Sequence, residues 1–293
     1  MLHGVVVALL TPETEIGKID IESGVKLANY AVENGVNGLF VLGTNGEGVR
    51  FSTEERIKFA RAVINGVDRK KADVCIQTGS NSLEETIALS QAAVADGADC
   101  IAVMTPYMLC YDEEATYDFY KAVSGALPKN FPIYLYNIPQ RTGNDISGAL
   151  CSRLISECEN IVGIKYSFND LNRTMEYLEA PNASVLHGSD IYQLQYVTMG
   201  CDGVISGLAG VCPTPFCKVR DYLAAGDIEN ARKWQKICFE VGKVLMFGNI
   251  SIMKDALRLL GFKFGGKAYL TGAKADKFKA DFKKTEELIA SQK

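Results

Sequence analysis

Histidine is almost missing from this chain: His3 and His187 are the only two in 293 residues. That scarcity removes the commonest neutral metal ligand and the usual general base from most positions. Nine cysteines are scattered without a Cys-x-x-Cys pair, so neither a zinc site nor a dithiol motif is spelled out, and reduced thiols in a packed interior are expected. No apolar run approaches the ~18 residues that a membrane span needs. No basic stretch stands out against a net charge of −4 and a pI near 5.4, which excludes the electrostatic footprint of a nucleic-acid binder. The glycine-rich stretch Gly43-Thr-Asn-Gly-Glu-Gly48 does not spell the dinucleotide fingerprint, and no Gly-Lys-Ser/Thr follows it to make a P-loop. The apolar start, Met1 to Leu10, lacks a basic lead and a small-residue cleavage site. It reads as a first strand and not as a signal peptide, with the cytoplasm as the expected setting.

What is present is an alternation. Short apolar runs suited to buried strands fall at Gly4–Leu10, Gly38–Leu42, Val74–Gln77, Cys100–Met104, Pro132–Tyr136, Ile161–Lys165, Ser184–His187 and Gly203–Ile205. A stretch with helical spacing follows each: Ile21–Asn34, a segment capped by Ser52 or Thr53, one from about Leu83, Asp112–Leu127, Ser147–Glu157, Leu171–Leu178, one from about Tyr192, and Phe216–Ala224. Eight strand–helix pairs predict an α/β fold of the (β/α)₈ TIM-barrel kind over residues 1–226. Residues 227–293 read as three helices, Ile228–Met246, Ile252–Leu260 and about Ala275–Ser291, appended without a linker.

Barrels of this kind do their chemistry at the C-terminal ends of the strands. Lys165 closes the run Ile161-Val-Gly-Ile-Lys165, where an unpaired ammonium would be costly to bury. It is therefore either a member of an ion pair or an amine whose pKa is lowered for nucleophilic attack. Tyr136 ends the neighbouring strand, either as a half-buried aromatic or as a proton shuttle beside the amine. The turn around Thr44, Asn45 and Gly46 is either a simple glycine turn or a nest of N–H groups for a carboxylate. Arg141 is either a surface residue after a proline or a clamp for a second carboxylate. Asp190, in Gly188-Ser-Asp190, reads first as a helix cap, and His187 as a satisfied core or rim histidine.

Taken in order, Gly43-Thr-Asn-Gly-Glu47, Tyr136-Asn-Ile-Pro139, Gly163-Ile-Lys165, Gly188-Ser-Asp190 and Gly203-Val-Ile-Ser206 resemble the dihydrodipicolinate synthase / N-acetylneuraminate lyase family of pyruvate-dependent class I aldolases. The resemblance spans the whole chain. It implies a carbon–carbon lyase without a cofactor or metal, in which Lys165 forms an imine with pyruvate and Tyr136 moves protons with help from the Thr44 hydroxyl. Backbone groups around Thr44, Asn45 and Gly46 would hold the pyruvate carboxylate, and Gly188, Asp190 and Ile205 would complete the pocket. Arg141 falls where the synthase branch receives an acidic aldehyde such as aspartate semialdehyde, which makes 4-hydroxy-tetrahydrodipicolinate synthase, an enzyme of lysine biosynthesis, the first reading.

Several positions depart from that branch. After Thr105-Pro106 the pair is Tyr107-Met108, and methionine cannot relay a proton; Tyr111 is the candidate substitute. Asn45 replaces the usual second threonine, and Lys165-Tyr-Ser167 and Gly188-Ser-Asp190 lean toward N-acetylneuraminate lyases and 2-keto-3-deoxy sugar-acid aldolases, which stand as the alternative. Of the family's lysine feedback site, Asn81, Glu85 and Tyr107 match, whereas Thr53 and Arg56 stand where some members have histidines, so inhibition by lysine is not expected. The resemblance also implies a homotetramer built as a dimer of dimers. Two readings of another class remain: a phosphate-binding barrel isomerase using Gly207-Leu-Ala-Gly210, and a non-catalytic sugar-acid binding protein.

Overall fold

The structure, a computed structural model, describes residues 1–292. Strand β1 (Gly4–Ala8) is followed by a small hairpin, β2 (Glu13–Glu15) with β3 (Lys18–Ile19). The alternation then runs through α1 (Ile21–Glu33), β4 (Gly38–Val41), α2 (Thr53–Gly66), β5 (Asp73–Gln77), α3 (Leu83–Ala95), β6 (Cys100–Met104) and α4 (Glu113–Gly125). It continues with β7 (Ile133–Asn137), the short α5 (Pro139–Thr142), α6 (Gly148–Glu157), β8 (Ile161–Tyr166), α7 (Leu171–Leu178) and β9 (Ser184–His187). The barrel portion ends with α8 (Gln193–Met199), β10 (Gly203–Ser206) and α9 (Pro213–Ala224), after which come α10 (Ile228–Val244), α11 (Ile250–Leu259) and α12 (Gly272–Ser291).

Eight parallel strands close on themselves in the order β1-β10-β9-β8-β7-β6-β5-β4, with β4 pairing back to β1. The fold is therefore the (β/α)₈ barrel that the alternation predicts. Helices start where the sequence offers an oxygen to an orphan N–H: Asp20, Ser52, Ser82, Asp112, Ser147 and Asp170 each accept from an N–H two or three residues on. Helix α9 begins three residues earlier than the periodicity suggests, because Pro213 and Pro215 sit in its first turn, where no N–H is needed.

Side-chain alternation sorts the strands into two cores. Ile133 and Leu135 of β7 face the helices, while Tyr134 and Tyr136 face the barrel axis with Val6, Phe40, Cys75, Ala102, Leu186 and Ile205. Tyr134 closes the floor: its hydroxyl accepts from the Leu2 N–H at 3.0 Å and donates to Ser184 Oγ at 3.2 Å. At the opposite end the register sets Met104 beside Tyr136, Tyr136 beside Lys165, and Lys165 beside Leu186. Trp234, Cys238 and Val241 of α10, Met253 of α11 and Phe282 of α12 belong to the same core as the barrel helices. The α10–α11 connection thereby comes to the C-terminal rim of the barrel.

Candidate active site

Strand β8 delivers Lys165 to the inside of the barrel, where it is only 4% exposed. Its Nζ stands 3.7 Å from the centre of the Phe40 ring and 4.1 Å from that of Tyr136. Burial holds the amine below its ordinary 10.5, and Tyr136 opposes that only in part. Among the described residues no carboxylate forms an ion pair with it, and Asp190 acts on it only weakly. The geometry is that of an unpaired amine over two aromatic faces.

The loop after β4 supplies the next groups. Thr44 Oγ1 lies 2.9 Å from the Tyr136 hydroxyl, so a proton has a hydrogen-bonded path from beside the amine to the loop. Among the described residues none accepts from the N–H of Thr44 or of Asn45, while the Glu47 N–H donates to Thr44 O at 3.1 Å. Two free amide donors beside a buried amine suit an anion. The glycines here are structural: a Cβ at Gly46 would press on the backbone of Leu9 and Leu42, and one at Gly48 on the Leu42 carbonyl. Gly46 packs the loop down and does not itself line the cavity.

Thr44, Asn45, Tyr136, Arg141, Lys165, Gly188, Asp190 and Ile205 line one cavity of ≈ 220 Å³. The one-turn helix α5 presents Gln140 and Arg141 at its rim, and Gln140 Nε2 donates to the Ser167 carbonyl at 2.6 Å. Asp190 corrects an expectation, for it is not a helix cap. It opens a 3₁₀ turn, and its carboxylate accepts from Ser206 Oγ at 2.7 Å and from the Leu208 N–H at 3.0 Å. Burial raises its pKa while these two donors work against the rise.

His187 is buried and stacked on Tyr196, with Nδ1 accepting from the Ser189 N–H at 3.0 Å. Its Nε2 has no partner among the described residues, so only half of the expected satisfaction is present. Tyr111 donates its N–H to Asn144 Oδ1 and lies outside the cavity lining, and Met108, in a left-handed turn (φ +70°), is 88% exposed.

Gln140, Phe247 and Gly248 also line the cavity and were not among the sequence candidates, and Ser167 and Gly207, named only for the alternative readings, line it as well. Gln140 directly precedes Arg141, which was a usable signal. Phe247 and Gly248 come from the break between α10 and α11, and no local pattern ties that break to the barrel mouth. The Gly207–Gly210 turn offers no phosphate site: the Leu208 and Ala209 N–H groups already donate to Asp190 and Ser206, and that of Gly210 to the Gly207 carbonyl. Among the described residues no group of three or more His, Cys, Asp or Glu is placed to hold a metal, and no helix is long and apolar enough to cross a membrane.

A closed parallel barrel with an unpaired lysine on its sixth strand, a tyrosine–threonine hydrogen bond and an N–H nest defines a Schiff-base aldolase type of site. The sequence profile of the Dihydrodipicolinate synthetase family matches residues 1–279, and the chain belongs to that family. It is 36% identical over 264 residues to a 4-hydroxy-tetrahydrodipicolinate synthase of Fervidobacterium nodosum, covering 89% of each chain. A synthase of the same name from Coxiella burnetii is 35% identical over 233 residues, which is 80% of this chain and 79% of that one. Among solved structures, YagE, a prophage protein of the dihydrodipicolinic acid synthase family from E. coli K12 in complex with pyruvate, superposes with a TM-score of 0.87 at 28% identity, covering 99% of each chain.

Proposed function

We propose that this chain is a 4-hydroxy-tetrahydrodipicolinate synthase that joins pyruvate to aspartate semialdehyde through an imine on Lys165. The observation that carries the reading is the buried amine without a carboxylate, 4.1 Å from the ring of a tyrosine whose hydroxyl is bonded to Thr44. Neutral Lys165 attacks the keto carbon of pyruvate, and loss of water gives the protonated imine. The imine withdraws electrons from the methyl carbon, which gives up a proton and becomes an enamine. The enamine carbon then adds to the aldehyde carbon, whose oxygen takes a proton, and the α-amine of aspartate semialdehyde attacks the re-formed imine carbon, closing the ring and releasing Lys165 as the free amine.

Tyr136 and Thr44 carry these protons in both directions. The N–H groups of Thr44 and Asn45 hold the pyruvate carboxylate, and Gly188 and Ile205 wall that half. Arg141 receives the carboxylate of the aldehyde, with Asp190 holding the Ser206–Leu208 turn beside it. Residues 1–226 carry the chemistry, and residues 227–293 form a helical extension that adds Phe247 to the mouth. No cofactor is required, because the lysine imine supplies the electron sink. The working form is a homo-oligomer in the cytoplasm, a tetramer built as a dimer of dimers.

A second reading, an aldolase of 2-keto-3-deoxy sugar acids or N-acetylneuraminate, is favoured by the hydroxyl and amide that Ser167 and Gln140 add to the cavity lining and by the exposure of Met108. Borohydride with pyruvate adds a covalent mass at Lys165 under either aldolase reading. No adduct would remove the enzyme reading and leave a binding protein. With trapping established, turnover of aspartate semialdehyde in preference to N-acetylmannosamine, glyceraldehyde and glyoxylate supports the synthase, and the reverse preference supports the sugar-acid aldolase.

A further inference from the structure

The loop that presents Thr44 and Asn45 is held from an unexpected side. Its last residue before the 3₁₀ turn, Glu47, has a left-handed backbone (φ +51°), as does Leu42 (φ +62°) at its start. A non-glycine residue stays in that region only where its surroundings fix it. The Glu47 carboxylate is engaged by two cations. Arg50 Nη1 donates to Oε1 at 2.6 Å and reaches on to Glu13 Oε2 at 3.1 Å, and Lys254 of α11 pairs with Oε2. The Lys254–Glu47 pair is largely shielded, with side chains 16% and 18% exposed, so solvent screens it less than a surface pair.

Lys254 does not line the cavity and touches no reacting atom. Its neighbour Met253 packs toward Gly207, against which the Asn45 side-chain amide also rests. The pair therefore joins the helical extension to the loop at the residue that fixes the loop's turn. Lateral movement of Glu47 would carry Thr44 with it, because the Glu47 N–H is bonded to the Thr44 carbonyl.

We propose that Lys254 is a positioning residue for pyruvate: its pairing with Glu47 holds Thr44 and Asn45 where the pyruvate carboxylate binds. The inference rests on the proposed use of that loop for the carboxylate. It makes the helical extension part of the pyruvate site although it contributes no group to pyruvate itself. A displacement of well under an ångström in a positioned donor is enough to weaken binding.

The test is a titration of borohydride trapping with pyruvate, alongside steady-state kinetics. In Lys254→Met the half-saturating pyruvate concentration rises about tenfold, whereas KM for the aldehyde at saturating pyruvate changes by less than about twofold. Lys254→Arg restores most of the loss. Lys243→Met, which removes an exposed i,i+3 pair with Glu240, leaves both constants at their wild-type values. Unchanged half-saturation in Lys254→Met, or an equal rise for both substrates, overturns the proposal and leaves an ordinary tie between helix and loop. Should Lys254→Met not fold, Glu47→Gln decides by the same titration, with the same rise expected and unchanged half-saturation overturning the idea. A wild-type protein that does not trap pyruvate at all would overturn the function itself, an outcome distinct from either.

Discussion

A buried lysine is expensive unless something removes its charge, and at Lys165 no carboxylate among the described residues forms an ion pair, with Asp190 acting only weakly. The protein resolves the cost by favouring the neutral amine, which is also the nucleophile. Imine formation should therefore rise with pH and level off below the 10.5 at which an exposed lysine loses its proton; stopped-flow trapping from pH 6 to 10 checks the position of that limb. Replacing Tyr136 by Phe keeps the ring that stands edge-on to Phe40 at 5.5 Å but breaks the hydroxyl path to Thr44. A loss of about 10²–10³ in kcat with little change in Tm is the expected result, measured by coupled assay and calorimetry. His187 belongs to the same scale. Burial lowers its pKa from 6.5 to about 3, so between those values the unfolded chain takes up a proton that the folded one refuses. Its contribution to stability is complete above pH 6.5 and is lost as pH falls toward 3, at roughly 1.4 kcal/mol per pH unit and up to about 5 kcal/mol in all. Urea unfolding at pH 7 and pH 4.5 should show that slope in the wild type and a shallower one in His187→Phe.

At the scale of elements, α5 and the start of α3 each fix one charged side chain, Arg141 and Glu85. Helix α5 is a single turn that begins at Pro139 and is capped by Gly143 in a left-handed conformation (φ +80°), which fixes Arg141 at the rim. Arg141→Ala should lower kcat/KM for acidic aldehydes by about 10²-fold, the loss of a charge-assisted bidentate contact, and leave neutral aldehydes unchanged; assays on matched aldehydes measure the difference. Near α3, Glu85 is taken by its own chain: Thr53 Oγ1 donates to it at 2.7 Å, Ser80 Oγ also bonds to it, and the buried Arg56 lies 3.8 Å away. A second cation would have to displace these partners, so millimolar L-lysine should leave the rate unchanged; initial rates with and without lysine check this. These elements also mark what was legible beforehand. Strands with strong β-branched runs and helices with an oxygen cap could be placed within a few residues. The hairpin of β2 and β3 could not, because three polar residues and a Lys-Ile pair are too short to carry a period, and α5 is too short to show one. Phe247 was invisible for another reason: its place at the mouth depends on how α10 and α11 pack, and packing at that distance leaves no trace in neighbouring residues.

For the whole molecule, the apolar side chains left outside are as informative as those within. Val49, Met108 and Leu109 are 52%, 88% and 64% exposed, and Tyr107, just before Met108, joins Val49 in lining a cleft of ≈ 240 Å³ that also reaches Thr44 and Arg141. A patch of this kind beside a catalytic mouth suits contact with a second copy. Leu109→Asp should shift the assembly toward smaller species in sedimentation velocity and lower activity at dilute protein. Cysteine provides the means of following this. Eight of the nine thiols are buried, and the exposed one, Cys110, directly follows Leu109. A thiol-reactive dye added to the native protein thus has a single address, at the edge of the patch, and its labelling rate reads how often that edge is uncovered. If the chain assembles as proposed, it carries a built-in reporter of that assembly, ready without any engineered residue.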